Sequence, residues 1–483
     1  MELVEIVNRL GNVEVKGDVL AKNVRGITHD SRKVKEGYLF ACVPGFSTDG
    51  HLYIEDAKRK GAVAAIVERF CDCDIPQIKV KSVREVLPWL ASWVYGNPSE
   101  NILCVGVTGT NGKTTTTFLI ESILERAGYK PMLFGTVEYK FGDKLIPASR
   151  TTPEAPDIME FINEGKTYGN DSLVMEVSSH SLELHRVDSL DFDVGVFTNI
   201  TPEHLDFHGT FENYRNAKAK LFRMVKKASI LNADDESFGF MKGCSKAPVI
   251  SYGLKDASAD IKLKDASLRL DGMDLQIETP LGVISIRSSL IGKFNVYNIL
   301  AAVAFGVALG FSPKIIKDGI EALKGVPGRM EVFRKDGFPT VVIDYAHTPD
   351  ALEKVLEAVK NLKPNRIFSV FGLGGNRFAG NRPLMGKIAG SIAYKVFITS
   401  DNARWENPID IAKQIAEGCK SVNGRYEIVL NRRRAIEKAI NEASPGDVVL
   451  ISGKGHEDYL EIRGQRRHFS DREVVMVLLG MER

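Results

Sequence analysis

Short apolar runs alternate with helical segments along most of the chain, and this pattern predicts an α/β protein. "ILCVGV", "SLVMEVSS" and "VGVFTNI" are apolar and rich in β-branched residues. Such runs are typical of strands buried on both faces of a parallel sheet. In the first 95 residues "GYLFACVPG" and "VAAIVE" predict further strands. The polar residues that follow these runs mark the strand ends, where open parallel sheets bind ligands.

The chain of 483 residues is too long for one hydrophobic core, and the pattern predicts three domains. We predict a small α/β domain over residues 1–95, a central domain with a parallel sheet over 96–328, and a C-terminal domain over 329–483. The linker "YGNPSE" precedes the central domain, and "GVPGRMEVF" interrupts the pattern at its end. The last third has four apolar runs that end in polar residues, which predicts a second doubly wound sheet.

The segment "CVGVTGTNGKTTTTFLI" (104–120) joins a predicted strand to a predicted helix through a glycine-rich turn. Backbone N–H groups of such a turn can surround phosphate oxygens, Lys113 can reach a terminal phosphate, and the Thr114 hydroxyl can bind magnesium. The usual pattern needs glycine where this chain has Val107, so the match is a variant. The alternative is a glycine-rich turn without a ligand. The favoured interpretation is a nucleoside triphosphate site.

Composition removes several classes of function. The 64 basic and 62 acidic residues give a net charge of +2, which offers no reason to expect a nucleic acid or an anionic membrane as partner. The basic runs near Arg433 and Arg466 are interpreted as solvent-exposed faces. The six cysteines have no zinc-site spacing. No signal peptide or long apolar segment is present, so we expect a reduced, cytoplasmic protein without membrane insertion.

Two further segments place carboxylates and imidazoles beside the predicted phosphate loop. "LVMEVSSHSLELHRV" follows one strand, and "TNITPEHLDFHGTFENYRNAKAKLF" follows the next. Magnesium prefers oxygen ligands, so Glu176 is the stronger ligand candidate and His204 the unusual one. The alternative for each polar residue is a helix cap. In the C-terminal third, "FGLGGN" lacks the acidic residue that a dinucleotide site needs about 20 residues further on, so NAD binding is disfavoured.

Several motifs together resemble one enzyme family. "GVTGTNGKTT", "RTTP", "EVSSHSLELHRV", "FNVYN", "PGRME", "DYAHTPDAL", "GGNR" and "GKGHE" occur in the order and approximate spacing of the ATP-dependent Mur ligases of peptidoglycan synthesis. The resemblance covers nearly the whole chain. It implies an N-terminal uridine-nucleotide domain, a central ATPase and a Rossmann-like C-terminal domain that brings an amino acid.

The resemblance also implies a reaction and its partners. ATP would phosphorylate the free D-glutamyl carboxylate of UDP-N-acetylmuramoyl-L-alanyl-D-glutamate, and the amine of an amino acid would attack the acyl phosphate. Anions meet in the first step, so magnesium and Lys113 must offset their repulsion. The N-terminal "HDSRKVKEGYLFACVPG" is similar to the members that act on this UDP-linked dipeptide. We expect a monomeric cytoplasmic enzyme.

Residue roles follow by similarity. Thr114 and Glu176 would bind magnesium beside the γ-phosphate, and His204 a second ion. The ATP-binding residues would be Gly109, Thr110, Asn111, Gly112, Lys113, Thr114, Thr115, Asn298, Arg329 and Asp344. The residues that hold the UDP-linked substrate would be Ser31, His51, Thr151, Thr152, Ser178 and Arg186. For Ser31 the alternative is a helix N-cap or a turn serine.

Lys218, in "NAKAKLF", matches the lysine that the family carries as a carbamate. A neutral, desolvated amine can take up carbon dioxide and become an anionic oxygen ligand for magnesium. The alternative is a surface lysine on an amphipathic helix, which is how we interpret Lys220. The resemblance therefore predicts catalytic roles for Lys113, Glu176, His204 and carbamylated Lys218.

The amino acid added is predicted from "SDNARWENP" (400–408). In the family "DNPR" accompanies meso-diaminopimelate, and a variant without the arginine accompanies L-lysine. A guanidinium can grip the distal carboxylate of diaminopimelate and would repel the ammonium of lysine. We therefore expect diaminopimelate, with lysine as the alternative; Ala403, Phe378 and Asn381 depart from the family pattern. The predicted pocket residues are Arg377, Asp401, Asn402, Ala403, Arg404, Gly453 and Glu457.

Two other classes of protein could use the same phosphate loop. A nucleotide-driven binding module or transporter ATPase would hydrolyse ATP without acyl transfer. A folylpolyglutamate synthase-like ligase would share the architecture but give no reason for "EVSSHSLELHRV" or the N-terminal domain. Dependence of ATP turnover on the UDP-linked dipeptide separates these alternatives.

Overall fold

A computed structural model describes residues 1–20, 22–45 and 48–481. The backbone divides into two compact units. The first contains Met1–Lys262, Glu278–Gly282 and Tyr297–Gly319, and the second contains Leu263–Ile277, Val283–Val296 and Ile320–Arg483.

The first unit begins with a five-stranded sheet of strand order β1-β5-β4-β3-β2. Strand β1 runs antiparallel to β5, and the other strands are parallel. Two short 3-10 helices follow β2 and β3, and they carry Ser31 and His51. The elements are α1 (Leu3–Leu10), β1 (Glu14–Lys16), β2 (Gly26–Thr28), β3 (Tyr38–Ala41), α2 (Ile54–Arg59), β4 (Ala62–Val67), β5 (Gln77–Lys79) and α3 (Val83–Val94).

A larger sheet follows in the same unit, with a parallel centre. The elements are β6 (Leu103–Thr108), α4 (Lys113–Arg126), β7 (Pro131–Phe134), β8 (Glu138–Phe141), β9 (Lys144–Pro147), α5 (Ala155–Thr167), β10 (Ser172–Glu176), α6 (Ser179–Glu183), β11 (Val194–Phe197), α7 (Leu205–His208), α8 (Phe211–Met224), β12 (Ala228–Asn232), α9 (Phe238–Cys244) and β13 (Val249–Gly253). Strands β13, β12, β11, β6, β10 and β7 are parallel neighbours in that order, and β8 and β9 extend the sheet antiparallel. Because β10 and β11 flank β6 on opposite sides, the chain direction across the sheet reverses beside β6, where ligands bind in such sheets.

Local sequence explains the junction between β6 and α4. All six residues of β6 are buried, as expected for the centre of a parallel sheet. Gly112 has a φ of 85°, a left-handed conformation that glycine adopts without strain, and α4 starts directly after it. The helix ends at Arg126, and Gly128 with a φ of 91° follows. The predicted strand, loop and helix are confirmed.

The segment after β13 contains three strands and two helices: β14 (Ile261–Arg269), β15 (Gly272–Thr279), β16 (Gly282–Ser288), α10 (Lys293–Ala308) and α11 (Pro313–Ala322). Buried and exposed residues alternate in β15 and β16, as in strands with one buried face. Helix α10 contains most of the apolar segment "NVYNILAAVAFGVALG".

The rest of the second unit is a six-stranded sheet of order β17-β18-β22-β19-β20-β21. Its strands from β18 onward are parallel, and β17 is antiparallel to β18. The elements are β17 (Glu331–Phe333), β18 (Thr340–Asp344), α12 (Pro349–Asn361), β19 (Ile367–Phe371), α13 (Asn381–Ile392), β20 (Lys395–Ile398), α14 (Pro408–Ser421), β21 (Tyr426–Ile428), α15 (Arg432–Glu442), β22 (Val448–Ser452), β23 (Tyr459–Ile462), β24 (Gln465–His468) and α16 (Asp471–Leu479).

Separate apolar cores lie on the two faces of this C-terminal sheet. One core includes Leu352, Met385 and Ile415 from α12, α13 and α14, and the other includes Ile436 and Val475 from α15 and α16. Helices on both faces of a parallel sheet define a doubly wound fold, so this prediction is confirmed. Within the described ranges, no helix combines the length and apolar character needed to cross a bilayer. The domain boundaries at residues 95 and 328 stay predictions.

Candidate active site

The side chain of Lys113 folds back onto the phosphate loop that precedes it. Lys113 Nζ donates hydrogen bonds to the carbonyl oxygens of Gly109 and Thr110, each at 2.9 Å. A side chain at Gly109 would place its Cβ 1.9 Å from Thr198 Oγ1, so only glycine fits there. The loop therefore has the compact, backbone-lined form that phosphate oxygens require.

The end of β11 supports this loop from the neighbouring strand. Thr198 Oγ1 donates to the carbonyl oxygen of Asn111 at 2.6 Å, and the Asn111 N–H donates to Asn199 Oδ1 at 3.0 Å. The Thr110 N–H donates to the carbonyl oxygen of Asn199 at 2.8 Å. Thr198 was not identified from the sequence; its position at the end of an apolar run beside "NITPEH" was the available signal.

Asn298 lies beside the phosphate loop within the first unit. Thr116 Oγ1 donates to Asn298 Oδ1 at 3.4 Å, and a Cβ at Gly112 would lie 2.4 Å from the same oxygen. Thr114 and Thr115 are buried in the first turn of α4. Thr114, Thr115 and Asn298 thus all lie at or next to the loop that was predicted to bind ATP.

Lys218 extends from α8 to the same loop. Its side chain is almost completely buried, and Nζ donates to the carbonyl oxygen of Gly109 at 2.7 Å. The ammonium position lies 4.6 Å from the centre of the Tyr214 ring. Burial, reinforced by the nearby charge of Lys113, lowers the pKa of Lys218 well below its ordinary value. Lys220, by contrast, pairs with Glu183 at the surface.

Glu176 ends β10 and points into the buried side of the site. Its carboxylate accepts hydrogen bonds from the Thr136 N–H at 2.7 Å and from Thr136 Oγ1 at 3.0 Å. Thr136 follows β7, and the sequence analysis missed it; the pair "GT" after an apolar run was the only signal. Because a carboxylate has about four lone-pair directions, these bonds orient Glu176 and leave acceptor capacity for a ligand.

His204 belongs to a cluster of aromatic and imidazole rings. It has a φ of 56° and lies 4.8 Å, ring centre to ring centre, from His180. Burial lowers the pKa of His204 and lowers that of His180 to about 4. His208 contacts Ser179 Oγ through Nε2 at 3.0 Å. The rings are therefore favoured in the neutral form, which is the form that binds metal ions.

The residues predicted to hold the sugar and peptide lie together beyond β10. Thr152 Oγ1 donates to the carbonyl oxygen of Glu176 at 2.8 Å and accepts from the Ser178 N–H at 3.1 Å. The Thr151 hydroxyl oxygen lies 3.2 Å from Thr136 Oγ1, at hydrogen-bonding distance. Arg186 Nη1 donates to the carbonyl oxygen of Thr152 at 3.2 Å. The structure thus brings these four predicted residues, Thr151, Thr152, Ser178 and Arg186, into one region.

The two residues predicted to hold the uridine diphosphate have mainly internal contacts. Asp30, not Ser31, caps the first 3-10 helix, and Ser31 is its first residue. His51 Nε2 accepts from the Glu68 N–H at 3.0 Å, so Nδ1 carries the proton and donates to Asp49 at 2.6 Å. Both ring nitrogens of His51 are engaged, its backbone N–H donates to Asp49 Oδ1 at 3.0 Å, and its side chain is buried.

In the second unit, the predicted amino-acid residues meet at the ends of β19, β20 and β22. Asn402 Nδ2 donates to Glu457 Oε2 at 3.0 Å. A Cβ at Gly453 would lie 2.9 Å from Asp401 Oδ2, and one at Gly375 would lie 2.0 Å from the Ala403 carbonyl oxygen. The loops that carry "GGNR", "DNAR" and "GKGHE" therefore pack directly against one another.

Arg404 is half-buried in this group of loops. It has a φ of 51°, and its Nη1 donates to the carbonyl oxygen of Gly375 at 2.7 Å. Arg377 is exposed, and so are Phe378 and Trp405, at 77% and 72% of their surfaces. Ala403 is buried. Asn381 begins α13, and its backbone N–H donates to the carbonyl oxygen of Phe378 at 3.4 Å.

Several buried or partly buried charged side chains form ion pairs beneath this pocket, and the sequence analysis did not identify them. Lys454 Nζ lies 3.1 Å from Glu457 Oε2 and 3.9 Å from Asp401 Oδ1. Arg432 pairs with Asp471 at 2.7 Å, and both side chains are fully buried. The interpretation of "NRRRA" as a solvent-exposed run is therefore wrong for Arg432, because the start of α15 faces the sheet.

Asp344 and Arg329, both predicted to contact ATP, also lie in the second unit. The carboxylate of Asp344 accepts from the N–H groups of Met330 and Ala346, each at 2.8 Å. Burial raises the pKa of Asp344, and the nearby Arg329 opposes this rise. The Arg329 guanidinium lies 4.9 Å from the centre of the Tyr345 ring.

Outside these sites, the described residues offer few alternatives. Within the described ranges, no group of three or more His, Cys, Asp or Glu side chains could hold a metal ion. A cavity of about 340 Å³ lies beside α5 and includes none of the predicted site residues. Its lysines, Lys33, Lys35 and Lys144, pair with carboxylates of α5. These charges are already matched within the protein.

Comparison with known families identifies the class of protein. Residues 23–95 match the Mur ligase family catalytic domain, residues 107–306 the Mur ligase middle domain, and residues 328–455 the Mur ligase glutamate ligase domain. The chain belongs to the Mur ligase family.

Individual relatives narrow the similarity further. The chain is 44% identical to the UDP-N-acetylmuramoyl-L-alanyl-D-glutamate–2,6-diaminopimelate ligase of Geobacter metallireducens, over 98% of this chain and 97% of that protein. It is 41% identical to the ligase of the same name from Caldanaerobacter subterraneus, over 99% of each chain. A solved structure of a ligase with this name is 32% identical, covers 99% of both chains and has a TM-score of 0.72.

Proposed function

We propose that this chain is an ATP-dependent ligase that adds meso-2,6-diaminopimelate to UDP-N-acetylmuramoyl-L-alanyl-D-glutamate in peptidoglycan precursor synthesis. The observation that carries the proposal is full-length similarity to ligases of this name combined with an intact phosphate loop. The γ-phosphoryl group of ATP would pass to the D-glutamyl carboxylate, and ADP would leave. The amine of diaminopimelate would then attack the acyl phosphate carbon and expel phosphate, forming the amide.

The phosphate loop would hold ATP through its backbone N–H groups and the start of α4. Lys113 would leave the carbonyl oxygens of Gly109 and Thr110 to contact a terminal phosphate, since a lysine ammonium gains more from an anion than from two carbonyls. Asn298, Arg329 and Asp344 would contact the nucleotide. For Asn298 the support is its position against Gly112.

The donor set at this edge fits magnesium. The Thr114 hydroxyl and the Glu176 carboxylate are oxygen ligands, and magnesium sites in nucleotide enzymes need only one or two carboxylates besides phosphates and water. Thr136 fixes the orientation of Glu176 with two hydrogen bonds. Bound magnesium would reduce the repulsion between the phosphates and the attacking carboxylate. His204, neutral because of its lowered pKa, would bind a second ion.

Lys218 would carry carbon dioxide as a carbamate. Its amine is almost fully buried, and burial together with Lys113 lowers its pKa, which favours the neutral nucleophilic form. The amine nitrogen would bond to the carbon of carbon dioxide and release a proton. The product is an anion beside the Lys113 ammonium, so the two groups would attract each other.

The UDP-linked substrate would be held at two places. Ser31 and His51 would contact its uridine diphosphate. Its sugar and peptide would be contacted by Thr151, Thr152, Ser178 and Arg186. The hydrogen bonds that join Thr152 to Glu176 and Ser178 support this proposal, because they link the peptide end to the magnesium ligand. The reacting carboxylate would then be held near the phosphate loop, as the transfer requires.

Diaminopimelate would bind at the strand ends of the C-terminal sheet. Arg404 would grip the distal carboxylate, Glu457 would accept from the distal ammonium, and Arg377, Asp401, Asn402, Ala403 and Gly453 would complete the pocket. Asn402 supports this arrangement because it holds Glu457 in place. Lysine lacks the distal carboxylate, so Arg404 would disfavour it. We further propose that the enzyme is a cytoplasmic monomer.

The proposal is tested by measuring ADP release from ATP in the presence of magnesium. Turnover should require the UDP-linked dipeptide and an amino acid, and diaminopimelate should exceed lysine. ATP turnover without the dipeptide would indicate a different class of ATPase. A preference for lysine would overturn only the choice of amino acid.

A further inference from the structure

One buried carboxylate in the first unit forms ion pairs with three arginines. Glu154, 4% exposed, directly precedes α5. Arg84 Nη1 lies 2.9 Å from its Oε2, and Arg186 Nη2 lies 3.0 Å from its Oε1. Arg150 Nη1 contacts Oε1 as well.

The three arginines come from separate segments of the chain. Arg84 lies on α3, beside the N-terminal sheet, and Arg150 precedes the threonine pair of "RTTP". Arg186 follows α6 at the far side of β10. Their convergence on Glu154 is therefore a property of the tertiary structure.

The charges of this cluster do not balance. Three guanidinium groups face one carboxylate, and together the arginines hold the pKa of Glu154 below its ordinary value although burial opposes this. A purely structural contact would pair one positive with one negative charge, as in the ion pair of Lys33 with Asp157 of α5, where Nζ and Oδ1 are 2.6 Å apart. Of the three side chains, that of Arg186 is buried, whereas those of Arg84 and Arg150 are 22% and 50% exposed, so an anionic ligand can approach the excess positive charge from the solvent side.

Arg186 also has an unsatisfied donor. It is 9% exposed, and its Nε has no hydrogen-bond partner among the described residues. The Nδ1 atom of His29 is likewise buried without a partner in that part of the chain; burial lowers the pKa of His29, and the nearby Glu154 opposes the fall. A buried unpaired N–H is rare in folded proteins and is satisfied when a ligand supplies an acceptor.

We propose that Glu154 is a positioning residue that orients Arg186, and that Arg84, Arg150 and Arg186 together form an anion site for the UDP-linked substrate. This inference rests on the proposed function. The substrate offers two anionic groups, its diphosphate and its peptide carboxylates, and a guanidinium can bind either with two parallel hydrogen bonds. The hydrogen bond from Arg186 to Thr152 places the cluster beside the predicted peptide site.

The test compares Glu154→Gln and Arg84→Gln with the matched control Glu164→Gln, which removes a carboxylate of the same helix that pairs with Lys144 and no arginine. Calorimetry would measure the Kd of UDP, of the UDP-muramoyl dipeptide and of ATP for each purified full-length protein. Both test variants should raise the Kd of the dipeptide about tenfold, equivalent to about 1.4 kcal/mol, and leave that of ATP unchanged. Glu154→Asp, which keeps the charge, should restore part of the affinity.

The ligands distinguish the anion that is recognised. Weaker binding of UDP as well as of the dipeptide would indicate the diphosphate, whereas weaker binding of the dipeptide alone would indicate a carboxylate. Unchanged or tighter dipeptide binding in both test variants would overturn the inference. The inference would also be overturned if the test variants weakened ATP binding as much as dipeptide binding. The same holds if Glu164→Gln weakened dipeptide binding as much as the test variants do. If the unaltered protein did not bind the dipeptide, the proposed function would fail as well. Arg84 is partly exposed, so its variant keeps the test valid if Glu154→Gln does not fold.

Discussion

The two sheet edges of this protein each contain a buried lysine, and the two lysines have opposite surroundings. Lys218, at the edge of the central sheet, donates to a carbonyl oxygen and lies near Lys113. Lys454, at the edge of the C-terminal sheet, lies near the carboxylates of Glu457 and Asp401. Both side chains are almost inaccessible to solvent.

This difference shows that burial alone does not decide the chemistry of a lysine. Carbonyl dipoles and a second cation cannot compensate the desolvation of an ammonium, so the pKa of Lys218 falls. Carboxylates can compensate it, so Lys454 is an ion-pair partner that orders a pocket. We therefore expect a reactive amine at the first edge and a structural cation at the second.

The largest effect is expected for Lys218→Ala. The variant cannot form the proposed carbamate and would lack that anionic ligand for magnesium, so kcat should fall about a thousandfold, in the range known for single groups that stabilise charge in a transition state. Lys220→Ala, two residues away and at the surface, is the matched control and should retain activity.

Spectroscopy tests the modification itself. Protein incubated with ¹³C-labelled bicarbonate should give a carbamate carbon signal in NMR, and Lys218→Ala should lack it. An unmodified lysine in a magnesium-loaded crystal structure would contradict the carbamate.

Lys454→Met should act mainly on stability and on the amino-acid pocket. It removes the cation that pairs with the partly buried Glu457 and leaves Asp401 with Arg432, at 3.9 Å, as its cationic neighbour. The free energy of unfolding, measured by denaturant titration, should fall by up to about 3 kcal/mol. The KM for diaminopimelate should rise because Glu457 loses an orienting contact. Lys413→Met, exposed on α14, is the control and should change neither quantity. A fully stable Lys454→Met protein would refute the structural role.

Arg404→Ala should reduce selectivity more than stability. If Arg404 has its proposed role, removing the guanidinium would remove both the attraction for the distal carboxylate and the repulsion of the ammonium of lysine, so the ratio of kcat/KM for the two amino acids should fall about ten- to a hundredfold. A competition assay with both amino acids measures this ratio. Full retention of selectivity would mean that another group reads the distal carboxylate.

The smallest effect is expected at the partly exposed pair of His185 and Asp188. The hydrogen bond from His185 to Asp188 raises the pKa of the imidazole, while burial opposes the rise. The stabilisation is therefore complete below the unfolded pKa of about 6.5 and is lost as the pH rises through the folded pKa. Asp188→Asn should lower the thermal midpoint at about pH 5.5 and have less effect at about pH 9. Equal losses at both pH values would rule out this charge pair as the cause.

Much of the fold followed from local sequence. The apolar run of β6, the left-handed Gly112 and the periodicity of α4 gave the position of the phosphate loop directly. The C-terminal sheet was predicted from four apolar runs, because a strand buried on both faces is apolar along its length and can be recognised without knowledge of its neighbouring strands. Family similarity added the residue roles, including Lys218 and Arg404, that spacing could not provide.

The sequence by itself determined the strand, loop and helix order, the phosphate loop and membership of the Mur ligase family, because these depend on neighbouring residues or on motifs. Only the tertiary structure decided that Thr136 orients Glu176, that Arg432 is buried and that Glu154 gathers Arg84, Arg150 and Arg186. The physical reason is that each of these contacts joins chain segments far apart in sequence. Their charges and hydrogen bonds interact strongly only when folding excludes water and brings these groups together.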